Sequence, residues 1–237
     1  MRNSLNENMS TEGLDSLVLI YTLYHEFFLR HDYDWWYKVQ PGDIVVDIGS
    51  CIGFFTCHAF DRGASKVYAV EPNRNLVNTI LKNASQHIVN KDPSPLTIVN
   101  AAIGSDSNYL KNIHGKVNDS TFNIITFKQF LETYKIDYID YLKVDCEGGE
   151  YNIFTAENFD FIKNKVKHIS LEVHLDCFKE APQMFLDFRN NFLSRFDKNK
   201  IKFLEDDGYK KTFETDWTSN NWPIGWGSSW MIYICNH

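Results

Sequence analysis

The sequence predicts an α/β fold: a mostly parallel sheet with helices on both faces and an antiparallel C-terminal edge strand. Apolar strand-like runs alternate with helical stripes, one pair every ~25–35 residues, which is the pattern of parallel strands joined by crossover helices. The last strand-like segments are instead spaced as a hairpin, which suits an antiparallel edge. The chain has 237 residues, 43% hydrophobic and 23% charged, enough to fill one sizeable core.

Each element can be justified in order. Residues 1–12 read as a polar lead-in. Leu14, Leu17, Val18, Tyr21, Tyr24 and Phe28 recur at helical spacing and predict an amphipathic helix over 13–29. An aromatic cluster follows from Tyr33 to Tyr37, and Pro41-Gly42 punctuates the chain before the apolar run Ile44–Ile48. Gly49-Ser50-Cys51-Ile52-Gly53 opens a helix that runs to about Arg62, with Gly63 as its C-terminal cap. Lys66–Glu71 reads as a second strand. Leu76, Val77, Ile80, Leu81, Ala84 and Ile88 mark one face of a helix, and Leu96–Val99 is a third strand. The Ser-, Asn- and Asp-rich stretch 104–123 reads as a loop or small hairpin. A helix around Phe127–Tyr134 leads into the strand Tyr138–Asp145. Another helix follows Gly148-Gly149, and His168–Leu175 is the next strand. Met184, Phe185, Phe188, Phe192 and Phe196 stripe a further helix. Ile201–Leu204, Lys210–Phe213 and Trp230–Cys235 are strand-like. With no internal repeat and no linker, residues 1–237 are expected to form a single domain.

Composition narrows the function. A net charge of −7 argues against a protein that lives on nucleic-acid phosphates, because such proteins gain affinity from Lys/Arg clusters. No stretch approaches the ~20 apolar residues of a membrane span, and the N-terminus lacks the apolar run of a signal peptide, so a soluble cytoplasmic protein is expected. Cys51, Cys57, Cys146, Cys177 and Cys235 are odd in number and scattered, with no CxxC. A disulfide framework or structural zinc site is not expected.

In sheets of this kind ligands bind at the C-terminal ends of the strands. The stretch Asp47-Ile48-Gly49-Ser50-Cys51-Ile52-Gly53 lies at such an end and opens a helix. Gly49 permits a backbone conformation closed to other residues, and Gly53 permits close packing of the helix start. The spacing D-x-G-x-x-x-G is not the G-x-G-x-x-G of a pyrophosphate loop. Glu71 ends the next strand, where an acid can accept from two vicinal ribose hydroxyls. Together these features suit a nucleoside ligand without a pyrophosphate, such as the cationic S-adenosylmethionine beside acidic Asp47. The plainer alternative makes Gly49 and Gly53 turn residues and Asp47 a helix cap.

At this point the chain resembles a known family. VVDIGSCIGFFT (Val45–Thr56), VYAVEPN (Val67–Asn73), VNAAIG (Val99–Gly104), IDYLKVDCEGGEY (Ile139–Tyr151) and ISLEVH (Ile169–His174) are similar, in order and spacing, to the FkbM-type S-adenosylmethionine-dependent methyltransferases. The K-x-D-x-E-G-x-E element, with Lys143, Asp145, Glu147, Gly148 and Glu150, is the most specific part. The resemblance implies a class I methyltransferase Rossmann-like three-layer sandwich that methylates hydroxyl groups, often on sugars or polyketides. It further implies that Asp47, Gly49, Ser50, Cys51 and Gly53 cradle the methionine part. Glu71 would hold the ribose, with Asn73 beside the adenosine and Ala101 and Ala102 near the adenine. Asp145 would face the methionine part or the acceptor. On this reading 1–40 is a helical lead-in, 42–175 the cofactor-binding core and 176–237 the acceptor side. Ser50-Cys51 replaces the more usual Ala-Asn, and Phe127-Lys128 replaces a usual Leu-Asp.

Methyl transfer to an alcohol needs alignment and a base to take the hydroxyl proton. Lys143, Asp145 and Glu147 close the fourth strand, and Glu172 and His174 the fifth, so adjacent strand ends would gather them at one rim. His174 is the first choice for the base, since a neutral imidazole is available near pH 7. Asp145, Glu147 and Glu150 come next, and Lys143 could orient a carboxylate. Bland roles compete: His174 bonding a backbone group, Glu150 capping a helix, Lys143 pairing structurally. Alternatively, Asp145, Glu147, Glu172 and His174 could ligate Mg²⁺ or a similar ion; the preferred reading has no metal. Glu172, Trp222 and Trp226 are candidate acceptor contacts, since Trp217, Trp222, Trp226 and Trp230 fall in a Gly- and Asn-rich stretch and offer flat apolar faces to a sugar ring. The expected partner is a sugar or glycan hydroxyl. Rival readings are methylation of a small molecule or nucleic acid, and a non-catalytic nucleoside-binding module.

Overall fold

The computed structural model describes residues 21, 23–88, 95–104, 123–175, 179–206, 211–214 and 229–236. The chain divides into two compact units, Met1–Ala102 with Asp119–Asn123, and Ile103–Asn118 with Ile124–His237.

In the first unit, β1 (Ile44–Ile48), β2 (Lys66–Val70) and β3 (Leu96–Val99) pair in parallel in the order β3-β2-β1. Val46 stands opposite Tyr68 and Ala69 opposite Ile98. β1 is buried along nearly its whole length, as a parallel strand covered on both faces must be. Helix α1 (Phe54–Asp61) links β1 to β2 and buries Phe54, Phe55, Cys57, Ala59 and Phe60. Gly63, with φ +90°, turns the chain after it as expected.

Helix α2 (Arg74–Ala84) links β2 to β3, and the Asn73 side chain caps it by accepting from Asn75 N–H. It buries Leu76, Thr79, Ile80, Asn83 and Ala84, while Leu81 is 52% exposed. The buried stripe is thus rotated from the expected one, because Asn83 has a partner inside for its amide. Before β1 come a π-helical stretch, His25–Arg30, and a 3-10 turn, Asp32–Asp34. The expected helix over 13–29 lies mostly outside the described residues. Two short strands, β4 (Ala102–Ile103) and β5 (Ile124–Ile125), form a separate ladder.

The second unit opens with α3 (Phe127–Tyr134), started by a capping box in which Thr126 and Gln129 satisfy each other's backbone N–H. Then follow β6 (Ile139–Val144), α4 (Glu150–Ile153), α5 (Phe159–Lys165), β7 (Val166–His174), α6 (Ala181–Asn191), β8 (Ile201–Asp206), β9 (Lys211–Glu214) and β10 (Ser229–Cys235). Their order is β6-β7-β10-β8-β9. β6 and β7 are parallel, with Leu142 opposite Ile169. β10 runs antiparallel to both neighbours, with Ile232 opposite Leu171 on one side and Phe203 on the other, and β9 is an antiparallel edge. The fold class is the predicted one: mostly parallel strands, helices around them, and an antiparallel C-terminal part. The helix after Gly148-Gly149 is a single turn, and α5 is an element that the sequence reading passes over. An aromatic layer of Phe154, Phe159, Phe188, Phe192 and Phe196 lies under α6, with ring centroids 5.2–5.7 Å apart. Trp230 is fully buried in β10 against Phe203, so it belongs to the core.

Candidate active site

The glycine loop of the first unit is fixed from three sides. Gly49 (φ +78°) and Ser50 both donate their backbone N–H to Val70 O, at 3.0 and 3.1 Å, and the Ser50 hydroxyl donates to Asp47 O at 2.8 Å. Cys51 takes a left-handed conformation (φ 51°) that is unusual for a side-chain-bearing residue, and its N–H donates to Glu71 Oε2 at 2.9 Å. Ile52 O accepts from the buried amide of Asn83 at 2.8 Å. Gly53 (φ +84°) lies so close to α2 that an added Cβ would stand 3.3 Å from Ile80 Cγ2. The loop is therefore tied to β2, to Glu71 and to α2.

Glu71 is buried directly beyond β2, and its other oxygen accepts from Asn73 N–H at 2.8 Å. One carboxylate thus clasps the loop and the entry to α2. Asp47 is fully buried and accepts from the Thr56 hydroxyl at 2.7 Å, which ties β1 to the first turn of α1. Ala101 and Ala102 are buried just past β3. Asn100, which the sequence reading missed, donates to Glu71 O and Pro72 O at 2.9 and 3.0 Å and ties the end of β3 to that of β2. Its position directly after a strand was the available signal. Asn83 was equally missed, although an Asn between apolar helix positions is a signal for a buried amide with a partner.

In the second unit the residues expected at one rim do come together, around the imidazole of His174. Its Nδ1 lies 3.3 Å from Glu150 Oε1. Its Nε2 lies 3.9 Å from Asp145, 3.8 Å from Glu147 and 4.0 Å from Glu172. Glu150 is 1% exposed and accepts from the N–H of His174 at 2.7 Å and of Gly148 at 2.8 Å. Lys143, also buried, sits 3.5 Å from Asp145 Oδ2. The Tyr151 hydroxyl donates to His174 O at 3.0 Å. Glu147 is 67% exposed and is held at φ 53° before Gly148.

This setting corrects one expectation. His174 is not an ordinary neutral imidazole. Burial alone would lower its pKa, but Glu150, through charge and hydrogen bond, and then Glu172 and Asp145 outweigh it and hold the pKa well above the usual value. Glu150, a further candidate base with helix capping as its plainer role, is the main partner of His174. Cys146 is no nucleophile, since burial and then Glu150 and Asp145 push its thiol well above the usual range. Trp222 and Trp226 lie outside the described residues.

Fold and site together define a class I methyltransferase framework. The family profile described as Methyltransferase FkbM domain matches residues 47–210, and the chain belongs to this family. The crystal structure of methyltransferase FkbM from Methylobacillus flagellatus KT is similar with a TM-score of 0.56 at 13% identity, over 88% of this chain and 47% of that one. The present chain thus spans about half the length of that protein. A spermidine synthase from Thermotoga maritima matches with a TM-score of 0.49 at 14% identity, over 91% of this chain and 60% of that one. No curated protein matches. S-adenosylmethionine is the cofactor that family membership implies. The residues fit it: a glycine loop whose Gly53 stands at φ +84° close against Ile80, and a buried acid at the end of β2. Among the described residues no helix is long and apolar enough to cross a membrane.

Proposed function

We propose that the chain is an S-adenosylmethionine-dependent O-methyltransferase that acts on a hydroxyl of a sugar or glycan. The observation that carries the cofactor half is the Glu71 carboxylate, held by the N–H groups of Cys51 and Asn73 beside a rigid glycine loop. A carboxylate at the end of this strand suits two vicinal ribose hydroxyls as an acceptor. Gly49, Ser50, Cys51 and Gly53 bound the methionine part, and Asn73, Ala101 and Ala102 the adenosine. When bound, the cofactor supplies a methyl on a sulfonium sulfur, which leaves as the thioether of S-adenosylhomocysteine once the acceptor oxygen has taken the methyl.

The second unit serves the acceptor. Glu147 is the rim carboxylate most open to solvent, so it takes the hydroxyl proton. His174 has carboxylates at both ring nitrogens and acts by orienting them. Lys143 neutralises Asp145. A hydroxyl acceptor is supported by this carboxylate-rich rim, and a sugar by the family's usual chemistry.

The test is calorimetric titration with S-adenosylhomocysteine followed by turnover on a panel of nucleotide sugars and oligosaccharides. Binding plus methylation of one sugar is expected. Binding without turnover on any hydroxyl acceptor would favour a nucleoside-binding module, and no binding would remove the reading.

A further inference from the structure

We propose that Asp145, Glu172 and His174 form a site for one divalent cation of the Mn²⁺ or Mg²⁺ type, to which the acceptor hydroxyl binds. The inference rests on the methyltransferase reading and deepens it. Each of the three residues offers one ligand atom, and these atoms all lie within 4.8 Å of one another. From Nε2 to Asp145 Oδ1 is 3.9 Å, and to Glu172 Oε1 4.0 Å. Donors bound ~2.1 Å from a common ion stand roughly 3–4.3 Å apart, depending on the angle between them. Small inward shifts of side chains therefore close the site.

The ring is oriented for this. Buried Glu150 faces Nδ1 and is itself anchored by two backbone N–H groups, so Nε2 is the nitrogen turned toward Asp145 and Glu172; the ion displaces the Nε2 proton to solvent on binding, and Nδ1–H stays on Glu150. A carboxylate behind the imidazole and a metal in front of it is the usual way in which a ligating His is fixed.

The donor set, one imidazole with two carboxylates, suits an oxygen-preferring divalent cation that accepts nitrogen. Charge points the same way, since Asp145, Glu147, Glu150 and Glu172 crowd one ring while Lys143 meets Asp145 through Oδ2 and so leaves Oδ1 toward the ring. Three protein donors leave coordination positions for the acceptor hydroxyl, whose proton becomes easier to remove on the ion. That proton goes to the Glu147 carboxylate. The freed oxygen lone pair forms the new O–CH₃ bond, and the electron pair of the broken C–S bond stays on sulfur.

The test uses the full chain after treatment with chelator. Mn²⁺ is titrated and its free signal followed by electron paramagnetic resonance. One Mn²⁺ per chain is expected, with affinity at least ~10-fold weaker in Asp145→Asn and in Glu172→Gln. Circular dichroism checks that both variants are folded. No saturable Mn²⁺ binding, or binding unchanged in both folded variants, overturns the proposal. S-adenosylhomocysteine titration of the same preparation reports separately on the methyltransferase reading.

Discussion

Glu71 performs two tasks with one carboxylate, and that shapes what its removal does. Its two oxygens hold the N–H groups of Cys51 and Asn73, so Glu71→Ala loosens the loop and, on the proposed reading, also removes a ribose contact. Calorimetry should show S-adenosylhomocysteine affinity falling by ~1–3 kcal/mol in Glu71→Ala, with a smaller loss in Glu71→Gln, which keeps one acceptor oxygen. Equal affinity in all three proteins would remove Glu71 from the site. The position of Glu71 was legible, because a strand end followed by Pro-Asn fixes it in the sequence. Its clasp was not, since that depends on the left-handed Cys51 backbone, a conformation that residue type does not announce. His174 shows the same division. The residue was identifiable from its place at the end of β7, whereas its charge state depends on Glu150, 24 residues away, and on carboxylates from a neighbouring strand end.

Between elements, the glycine loop is held as much by α2 as by its own glycines. Asn83 is fully buried and its amide donates to Ile52 O, while a Cβ at Gly53 would stand only 3.3 Å from Ile80 Cγ2. Asn83→Ala would leave that carbonyl without this partner and open a gap beside it. We expect a stability loss of ~1–3 kcal/mol in urea denaturation, together with weaker S-adenosylhomocysteine binding. A loss of stability with unchanged binding would show that α2 supports the fold but not the loop's ligand geometry. The elements legible in the sequence were those with clear apolar runs or stripes: β1, β2, β3, α3, β6, β7, β10 and the stripe of α6. Helix α5 was not, because only Phe159 and Ile162 are buried among its seven residues, too few to set a period. The face of α2 was misjudged because Asn83 lies inward with its amide bonded to Ile52 O, which apolar spacing does not reveal.

On the scale of the whole molecule, the fold class was readable because strand and helix periods alternate over most of the chain. The charge network that stabilises it was not, since it joins segments far apart in sequence. Asp34, in the 3-10 turn, is 4% exposed and meets Arg62 Nη2 at 3.0 Å, His58 Nε2 at 3.2 Å and His31 Nδ1 at 3.6 Å. Burial by itself would raise its pKa; the hydrogen bond and charge of His58, then His31 and Arg62, prevail and hold it below the ordinary value of 3.8. A carboxyl whose folded pKa is depressed stabilises the fold at every pH above its unfolded value, and that contribution is lost as pH falls through the folded value. Asp34→Asn should therefore cost ~1–3 kcal/mol near neutral pH, where the charged partner contacts are at stake. The gap between the two proteins should narrow as pH drops below about 4, because the wild-type carboxyl then takes up the proton that makes it resemble the amide. Urea denaturation at a series of pH values measures the gap directly, and a gap that stays constant from neutral pH to pH ~3 would mean that Asp34 acts through packing rather than through its charge.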